Sequence, residues 1–327
     1  MQPTGRRGAS RRACGTLREQ IRDEGWSGRE LDRPQLMRNS LGRAMRLMLL
    51  HVRWSLALSV AFAAGSCRAS VGQTAPAAPP GARVVPVVTH DFAFTLPDSL
   101  PAGLTTFRLR NEGRQPHHLM LYRLEPAKPL GDVLAALNAG GAHPVWMHAV
   151  GGPNAVPYGG ESVGTVLLSP GAYVAFCHVK GPDQVLHFAK GMMKTLIVTP
   201  AGRPVAPLPA ADLTVTLRDY SFAFSRPPTR GWHRIAVRNA GAQRHELILS
   251  RLAPGRTSRD FIAWMNTQRG SPPVTPSGGT TDLPPGGTLV IDVQLRPGTY
   301  SVVCRVRDAA DGRPHDEHGM YTQFVVP

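Results

Sequence analysis

The sequence predicts an all-β protein with two tandem Greek-key β-sandwich domains after an N-terminal export leader. The 327 residues are too many for one small sandwich and sufficient for two, with a leader in addition. The chain beyond position 84 is a duplication with a period near 128 residues. Each copy contains about seven short apolar or alternating runs bounded by Gly and Pro turns, a pattern typical of Greek-key sandwiches.

The duplication rests on motifs that recur in the same order. Each copy has an Asp-aromatic segment, an Arg-Asn-x-Gly turn, a Pro-Gly-x-Tyr turn, a cysteine, and a His followed by Gly-Met. The turn motifs in the first copy are Arg110-Asn111-Glu112-Gly113 and Pro170-Gly171-Ala172-Tyr173, and those in the second are Arg238-Asn239-Ala240-Gly241 and Pro297-Gly298-Thr299-Tyr300. So many matches in register indicate two copies of one structural unit.

Composition divides the chain into five parts. We expect a basic extension and signal or lipoprotein leader at 1–67, an Ala/Pro-rich tether at 68–83, domain 1 at 84–199, a Pro/Ala-rich linker at 200–211 and domain 2 at 212–327.

The strand pattern is similar in both domains. One short helix is predicted in each, around Asp132–Leu137 and Asp260–Met265. Strands are predicted at 84–94, 106–110, 118–124, 165–168, 173–177 and 195–198 in domain 1, and at 213–224, 233–238, 246–252, 289–295, 300–304 and 324–326 in domain 2.

The leader is read from residues 45–67, where a basic start precedes a short apolar stretch. That stretch ends in Ala64-Gly65-Ser66-Cys67, which resembles a bacterial lipobox and would place a lipid anchor on Cys67. Cleavage after Ser66 by ordinary signal peptidase is the alternative. In both cases we expect a cell-envelope protein, periplasmic or lipid-anchored to the membrane.

The net charge of +15 does not indicate a nucleic-acid partner. Residues 1–70 hold 13 Arg and 5 acidic residues, which gives +8, and the rest of the chain therefore carries +7. This remainder is scattered, without a basic run or interleaved aromatic residues, so a solvated basic surface is the better interpretation.

Four cysteines are present: Cys14, Cys67, Cys177 and Cys304. The last two occupy equivalent positions of the two domains, so a disulfide between them would have to bridge the domains. Two free thiols in an exported protein require another explanation, and metal ligation is one.

Each domain contains one His after the Asn-Gly turn and, much later, a Cys, a His and a Met close together. The candidate metal ligands are His117, Cys177, His187 and Met192 in domain 1, and His245, Cys304, His315 and Met320 in domain 2. A blue copper site needs two imidazoles, one thiolate and a weak axial thioether, which this order of residues supplies twice.

These motifs resemble the plastocyanin and azurin (cupredoxin) family from about residue 84 to the end. The resemblance implies type 1 copper, at most one per domain. His117 and His245 correspond to the upstream ligand, Cys177 and Cys304 to the thiolate, His187 and His315 to the second imidazole, and Met192 and Met320 to the axial ligand. The Cys-to-His segments contain nine and ten residues, more than in plastocyanin.

Two function classes follow from this resemblance. Copper enzymes with two such domains need extra histidines for a second copper. The sequence has no His-x-His pair, and the residue directly before each of Cys177 and Cys304 is not a His. We therefore expect a non-enzymatic carrier of single electrons with an unidentified envelope redox protein as partner, and with the edge of His187 or His315 near solvent as the electron port. The alternative is a copper-free or copper-storing module used for binding or scaffolding.

Overall fold

The computed structural model describes residues 75–140, 143–202 and 205–327. The leader, including Cys14 and the predicted anchor Cys67, lies outside this range. Among the described residues, no helix is both long enough and apolar enough to cross a membrane. Both domains belong to one compact unit. The boundaries of the domains and linker stay predictions.

Domain 1 is built from nine described strands, one helix and one 3-10 turn. Helix α1 spans Leu130–Ala139, and the 3-10 turn spans His187–Lys190. The strands are β1 Arg83–His90, β2 Ala93–Thr95, β3 Ser99–Pro101, β4 Gly103–Asn111, β5 Met120–Leu124, β6 Met147–Gly151, β7 Glu161–Leu168, β8 Gly171–Phe176 and β9 Met193–Thr199.

Domain 2 repeats this order with eight described strands. Helix α2 spans Ser258–Thr267, and the 3-10 turn spans His315–His318. The strands are β10 Leu213–Arg218, β11 Ser221–Phe224, β12 Gly231–Asn239, β13 His245–Leu252, β14 Val274–Leu283, β15 Thr288–Leu295, β16 Gly298–Val303 and β17 Tyr321–Val326. Both predicted helices are present, and each is longer than its predicted core.

The first predicted strand of each domain is a hairpin in the structure. β1 and β2 pair antiparallel around Asp91 and Phe92, and β10 and β11 pair antiparallel around Asp219 and Tyr220. The apolar pattern continues through the turn because Phe92 and Tyr220 pack against the core. Pattern alone therefore did not mark the break in the strand.

The prediction of a sandwich is confirmed. One layer is an eight-stranded sheet in the order β11-β10-β12-β15-β7-β4-β1-β2, which runs through both domains. Facing it are a five-stranded sheet, β3-β9-β8-β5-β6, and a four-stranded sheet, β14-β13-β16-β17. In β4, buried Phe107 and Leu109 alternate with Arg108 and Arg110, so one face of the strand enters the core. Burial of each such side chain contributes about 1.5 to 3 kcal/mol.

The two domains meet about a local pseudo-twofold axis. β7 and β15, which are equivalent strands, pair antiparallel with Gly164 opposite Ile291. In the other layer, Pro153 forms a bridge with Thr280. The contacts around this bridge are reciprocal: Asn154 N donates to Gly279 O at 3.1 Å, and Thr281 N donates to Gly152 O at 2.9 Å. The interface is therefore a continuation of both layers.

Candidate metal centres

Neighbouring strands bring the upstream His and the Cys of each domain to one sheet end. In domain 1, β5 pairs antiparallel with β8, so that Met120 faces Phe176. His117 lies just before β5 and Cys177 directly after β8, and antiparallel pairing places these two positions side by side. In domain 2, β13 pairs with β16 in the same way, which brings His245 close to Cys304.

An asparagine side chain holds the loop that carries each upstream His. Asn111 Nδ2 donates to the carbonyls of Gln115 at 2.8 Å and Val156 at 2.9 Å. Asn239 Nδ2 donates in the same way to Gln243 at 2.7 Å and Leu283 at 2.9 Å. Both asparagines are buried, so their paired amides fix the loop conformation.

The glycine of each Asn-x-Gly turn permits a close approach to the upstream His. A Cβ atom at Gly113 would lie 2.6 Å from His117 Nε2 and 2.5 Å from Asp91 Oδ1. At Gly241 the corresponding distances, to His245 Nε2 and Asp219 Oδ1, would be 2.7 and 2.5 Å. No side chain fits there, which explains why both copies of the motif end in Gly.

Three donor atoms converge in each domain. In domain 1, His117 Nδ1 and His187 Nδ1 lie 3.0 Å apart, and Cys177 Sγ lies 3.9 Å from the first and 3.5 Å from the second. In domain 2, His245 Nδ1 and His315 Nδ1 lie 3.0 Å apart, and Cys304 Sγ lies 3.8 and 3.4 Å from them. The two triangles agree within about 0.1 Å.

The donors and the predicted axial residues are buried. The two Cys, four His and two Met candidates are all 0% exposed. Cys177 and Cys304 are both free thiols. Met192 N donates to His187 O at 3.0 Å and Met192 O accepts from Cys177 N at 3.2 Å, with the same contacts at Met320. The backbone of each methionine is therefore hydrogen-bonded to the candidate Cys ligand and to the second His ligand of its own domain.

A carboxylate orients each upstream imidazole. Asp91 Oδ1 lies 2.6 Å from His117 Nε2, and Asp219 Oδ1 lies 2.5 Å from His245 Nε2. Because Nε2 donates to the carboxylate, Nδ1 carries the free lone pair and points toward the cysteine. Carboxylate–histidine pairs of this kind fix the tautomer and raise the basicity of metal-ligating histidines. The donor set and its orientation therefore fit a soft transition metal ion.

Burial sets the protonation of the donors. It lowers the pKa of His187 and of His315 to about 4, and raises the pKa of the Cys177 thiol to about 12. Burial also lowers the pKa of His117 and His245, although their aspartate partners oppose the change. The imidazoles are therefore neutral at neutral pH and ready to bind a metal ion, while the thiol must lose its proton on binding.

These shifts predict that the metal-free protein loses stability as pH falls from about 6.5 to about 4. An unfolded histidine titrates near 6.5, whereas the folded donors stay neutral to about 4. The unfolded state then binds more protons, and stability decreases by about 1.4 kcal/mol per pH unit for each such histidine. Glu246 opposes this trend, because burial raises its pKa to about 8.

Urea unfolding of the metal-free protein at several pH values measures this dependence. His187→Gln removes one titrating group, so it should reduce the slope of the unfolding free energy against pH by about 1.4 kcal/mol per pH unit. A flat profile between pH 6.5 and 4 would contradict the prediction.

The second imidazoles do not reach solvent, so the expected electron port is wrong as stated. His187 lies under Phe92, with ring centroids 4.8 Å apart, and Lys190 Nζ lies 4.4 Å from the Phe92 centroid. His315 lies beside Tyr220, 5.2 Å between centroids, and Tyr220 stacks on His318. The hairpin turn folds an aromatic ring over each imidazole, which sequence periodicity could not reveal.

The two centres differ at this second imidazole. His187 Nε2 lies 3.0 Å from Gln115 Oε1. In domain 2 the equivalent Gln243 donates instead to Asp308 at 2.7 Å, and His315 Nε2 has no hydrogen-bond partner within the described part of the chain. Asp308, Asp311 and His318 also lie together, but the Asp308 carboxylate already accepts from Tyr220, Gln243 and two backbone amides.

Sequence reasoning missed the residues that surround the donors. Asp91 and Asp219 were visible as the repeated Asp before an aromatic residue, and this recurrence could have indicated their role. His118, which follows His117, is buried, and its Nε2 accepts from His178 N at 3.2 Å. His178 itself is exposed.

In each domain the donors come from one strand end and one loop of a two-layer antiparallel-rich sandwich. This is the β-sandwich arrangement that the sequence predicts for both domains. No family model matches the sequence, and no curated protein matches it either.

Several solved structures resemble parts of the chain. Auracyanin A, a blue copper protein from Chloroflexus aurantiacus, is 21% identical over 36% of this chain and 100% of its own, with a TM-score of 0.27. The blue copper oxidase from Nitrosomonas europaea is 16% identical over 71% of this chain and 82% of its own, with a TM-score of 0.22. The copper nitrite reductase from the same organism is 12% identical over 75% and 94%, TM-score 0.23. At these sequence identities and TM-scores, no activity or residue role of the solved proteins can be transferred to this chain.

Proposed function

We propose that this chain is a type 1 copper protein with two centres that carries single electrons in the cell envelope. The copper ligands in domain 1 would be His117, Cys177 and His187, with Met192 in the axial position. Those in domain 2 would be His245, Cys304 and His315, with Met320 in the axial position. Copper would supply the change between Cu(I) and Cu(II).

The observation that supports this proposal is the buried triangle of two Nδ1 atoms and one Sγ atom, which occurs in both domains with nearly equal distances. Two imidazoles and a thiolate with a weak axial thioether are the donors of blue copper sites. Asp91 and Asp219 hold two of the imidazoles in place, and the rings of Phe92 and Tyr220 cover the other two. A ligand set that moves little is suited to electron transfer.

The test is copper loading of the full chain followed by visible spectroscopy and metal analysis. We expect two copper ions per chain and an intense blue or green thiolate-to-copper band, which disappears on reduction. A protein that binds no stoichiometric copper, or binds it without colour, would disprove the proposal.

Copper storage without a redox role is a second candidate, and one observation favours it. All four imidazoles are 0% exposed, and Phe92 and Tyr220 cover the two that we expected to reach solvent. Electrons would then have to pass through the rings of Phe92 and Tyr220. Mixing oxidised with reduced protein and measuring self-exchange separates the candidates, since a storage protein should exchange electrons far more slowly than a carrier.

The proposal contains no catalytic step. The positions three and five residues after His117 and His245 offer no imidazole or carboxylate to a second copper, since they hold Met120, Tyr122, Ile248 and Ser250. Of these, only Tyr122 has a side chain that hydrogen-bonds across the domain interface, to Asp282. Copper-loaded protein should therefore reduce nitrite or oxidise phenols no faster than free copper does.

The location in the envelope is part of the proposal and concerns residues outside the described range. If Cys67 carries a lipid anchor, wild-type protein should sediment with membranes and Cys67→Ala should lose its acylation. Cys14→Ala is the matched control and should remain acylated. Wild-type protein found in the soluble periplasm, with Cys67 unmodified or removed, would exclude the anchor and leave export intact.

A further inference from the structure

A polar cluster joins the two domains directly beside one candidate centre. Arg244 precedes His245, and its Nη1 donates to the Asp282 carboxylate, to Tyr122 OH at 2.5 Å and to His143 Nδ1 at 3.2 Å. Tyr122 OH also donates to Asp282. Tyr122 and His143 belong to domain 1, whereas Arg244 and Asp282 belong to domain 2. The residue before a candidate ligand of domain 2 is thus held by side chains of domain 1.

The cluster has no counterpart on the other side of the pseudo-twofold axis. Pro116 precedes His117 where Arg244 precedes His245. Ala155 corresponds to Asp282, because the carbonyls of the following residues, Val156 and Leu283, accept from the equivalent asparagines. Ser250, five residues after His245, corresponds to Tyr122, and its buried Oγ has no hydrogen-bond partner within the described segments.

The presence of Pro116 in domain 1 and of Arg244 at the equivalent position in domain 2 has a physical consequence. A proline ring fixes its own φ near −65° and so restrains the backbone that enters His117 without outside help. Arginine has no such restraint, and the backbone that enters His245 depends on what holds the Arg244 side chain. Tyr122 and His143 give part of that support across the domain interface, and Asp282 gives the rest from domain 2 itself.

The cluster is largely buried, and this burial sets the direction of its hydrogen bonds. Tyr122 is 0% exposed, and the Asp282 side chain is 7% exposed. Burial raises the pKa of Tyr122 far above its usual value and lowers that of His143 to about 4. The phenol therefore stays protonated and donates, and the neutral imidazole accepts from the guanidinium. Removal of one partner would leave a buried charge incompletely paired, which is costly.

Domain 1 also contacts the residues that follow His245. Asn154 Nδ2 donates to Leu247 O at 3.4 Å and to Thr280 O at 3.1 Å. Glu246 accepts from Arg305 N at 3.0 Å and donates its own N–H to Cys304 Sγ at 3.4 Å. The segment 244–247 is therefore held from domain 1 on both sides of His245.

We propose that domain 1 positions the metal ligand His245 of domain 2, with Tyr122 and Arg244 as the positioning residues. This inference rests on the proposed function, because it assumes copper at both centres. It makes the centre of domain 2 dependent on the domain interface and leaves the centre of domain 1, with Pro116, independent of the cluster.

The test reads each centre separately in the full chain. Cys177→Ser leaves the domain 2 centre as the only coloured one, and Cys304→Ser leaves that of domain 1. In each background, Arg244→Gln, Arg244→Lys and Tyr122→Phe are compared by Cu(I) affinity in competition with a chelator and by visible and EPR spectra. We expect Arg244→Gln to lower the affinity of the domain 2 centre about tenfold, the lower end for lost outer-shell partners.

Three results distinguish positioning from a general loss of structure. Arg244→Lys, which keeps the charge, should recover part of the affinity. Tyr122→Phe should change the spectrum and affinity of the domain 2 centre and leave the domain 1 centre unchanged within twofold, although Tyr122 lies in domain 1. Tyr173→Phe removes another buried phenol of domain 1, whose OH donates to Ser169 O at 2.7 Å, and it should alter neither centre. Ser250→Ala should also alter neither centre.

Equal effects on both centres, no effect on the domain 2 centre, or a larger effect on that of domain 1 would overturn the inference. Circular dichroism and urea unfolding of the metal-free variants check their fold, and Arg244→Lys serves if Tyr122→Phe does not fold. Absence of copper from both single-centre proteins would instead refute the proposed function, so the two failures are distinguishable.

Discussion

Copper-loaded protein with both Cys177→Ser and Cys304→Ser will have no thiolate-to-copper band. The band requires a thiolate bound to copper, and Cys177 and Cys304 supply the sulfur atoms of the two donor triangles. The thioethers of Met192 and Met320 cannot replace a thiolate. Each single variant should keep about half of the absorbance, because the two triangles have nearly equal distances. Visible absorbance per chain, measured with copper content, checks this.

Serine at the two leader cysteines provides the control. Cys14→Ser and Cys67→Ser should leave the visible band unchanged, since each donor triangle already contains its own cysteine, Cys177 or Cys304. If the double variant retained its colour, the copper would have to be bound elsewhere, and the assignment of both centres would be wrong. If one single variant lost all colour, only one domain would hold type 1 copper.

Asp91→Asn will weaken copper binding at the domain 1 centre by about 10- to 100-fold, the usual range for a lost outer-shell carboxylate. Asp91 lies 2.6 Å from His117 Nε2 and fixes which ring nitrogen faces the cysteine. The amide can present its NH₂ group to Nε2, which favours the wrong tautomer. Asp219→Asn should have the same effect on the domain 2 centre only. Copper competition measures the Asp91→Asn effect in the Cys304→Ser background and the Asp219→Asn effect in the Cys177→Ser background.

An aspartate–histidine pair outside the centres provides the matched control. Asp212 Oδ1 lies 2.8 Å from His233 Nδ1, and His233 is buried like the candidate ligands. Asp212→Asn should leave copper affinity unchanged at both centres. A comparable loss of affinity in Asp212→Asn would mean that the Asp91 effect arises from general destabilisation and not from orientation of His117.

Much of the candidate site was predictable because its determinants are local. The Asn-x-Gly turn before each upstream His and the Cys-to-Met segment each lie within a short stretch of chain. Their spacing therefore limits where the donors can go. Duplication made this inference stronger, since His117 and His245 could be compared at equivalent positions. The two helices were predictable for the same reason, and Thr257 with Asp260 forms a capping box at the start of α2.

The contacts made by residues distant in sequence were not predictable. Apolar alternation continues through Phe92 and Tyr220 and predicts strand there, and only the hairpin turn directs their rings over His187 and His315. Asp91 and Asp219 were seen as repeated, but their partners lie 26 residues away along the chain. Periodicity reports which face of an element is buried and does not report which residue covers it.

The sequence by itself determined the two-domain β-sandwich, the duplicated donor order and the types of donor, because strand alternation, turn residues and ligand chemistry are written in short segments. Only the tertiary structure decided how the domains meet. The pairing of β7 with β15 and the cluster of Tyr122, Arg244 and Asp282 join residues up to about 160 positions apart. Such contacts depend on the packing of complete layers, so they make one domain a support for the candidate metal centre of the other.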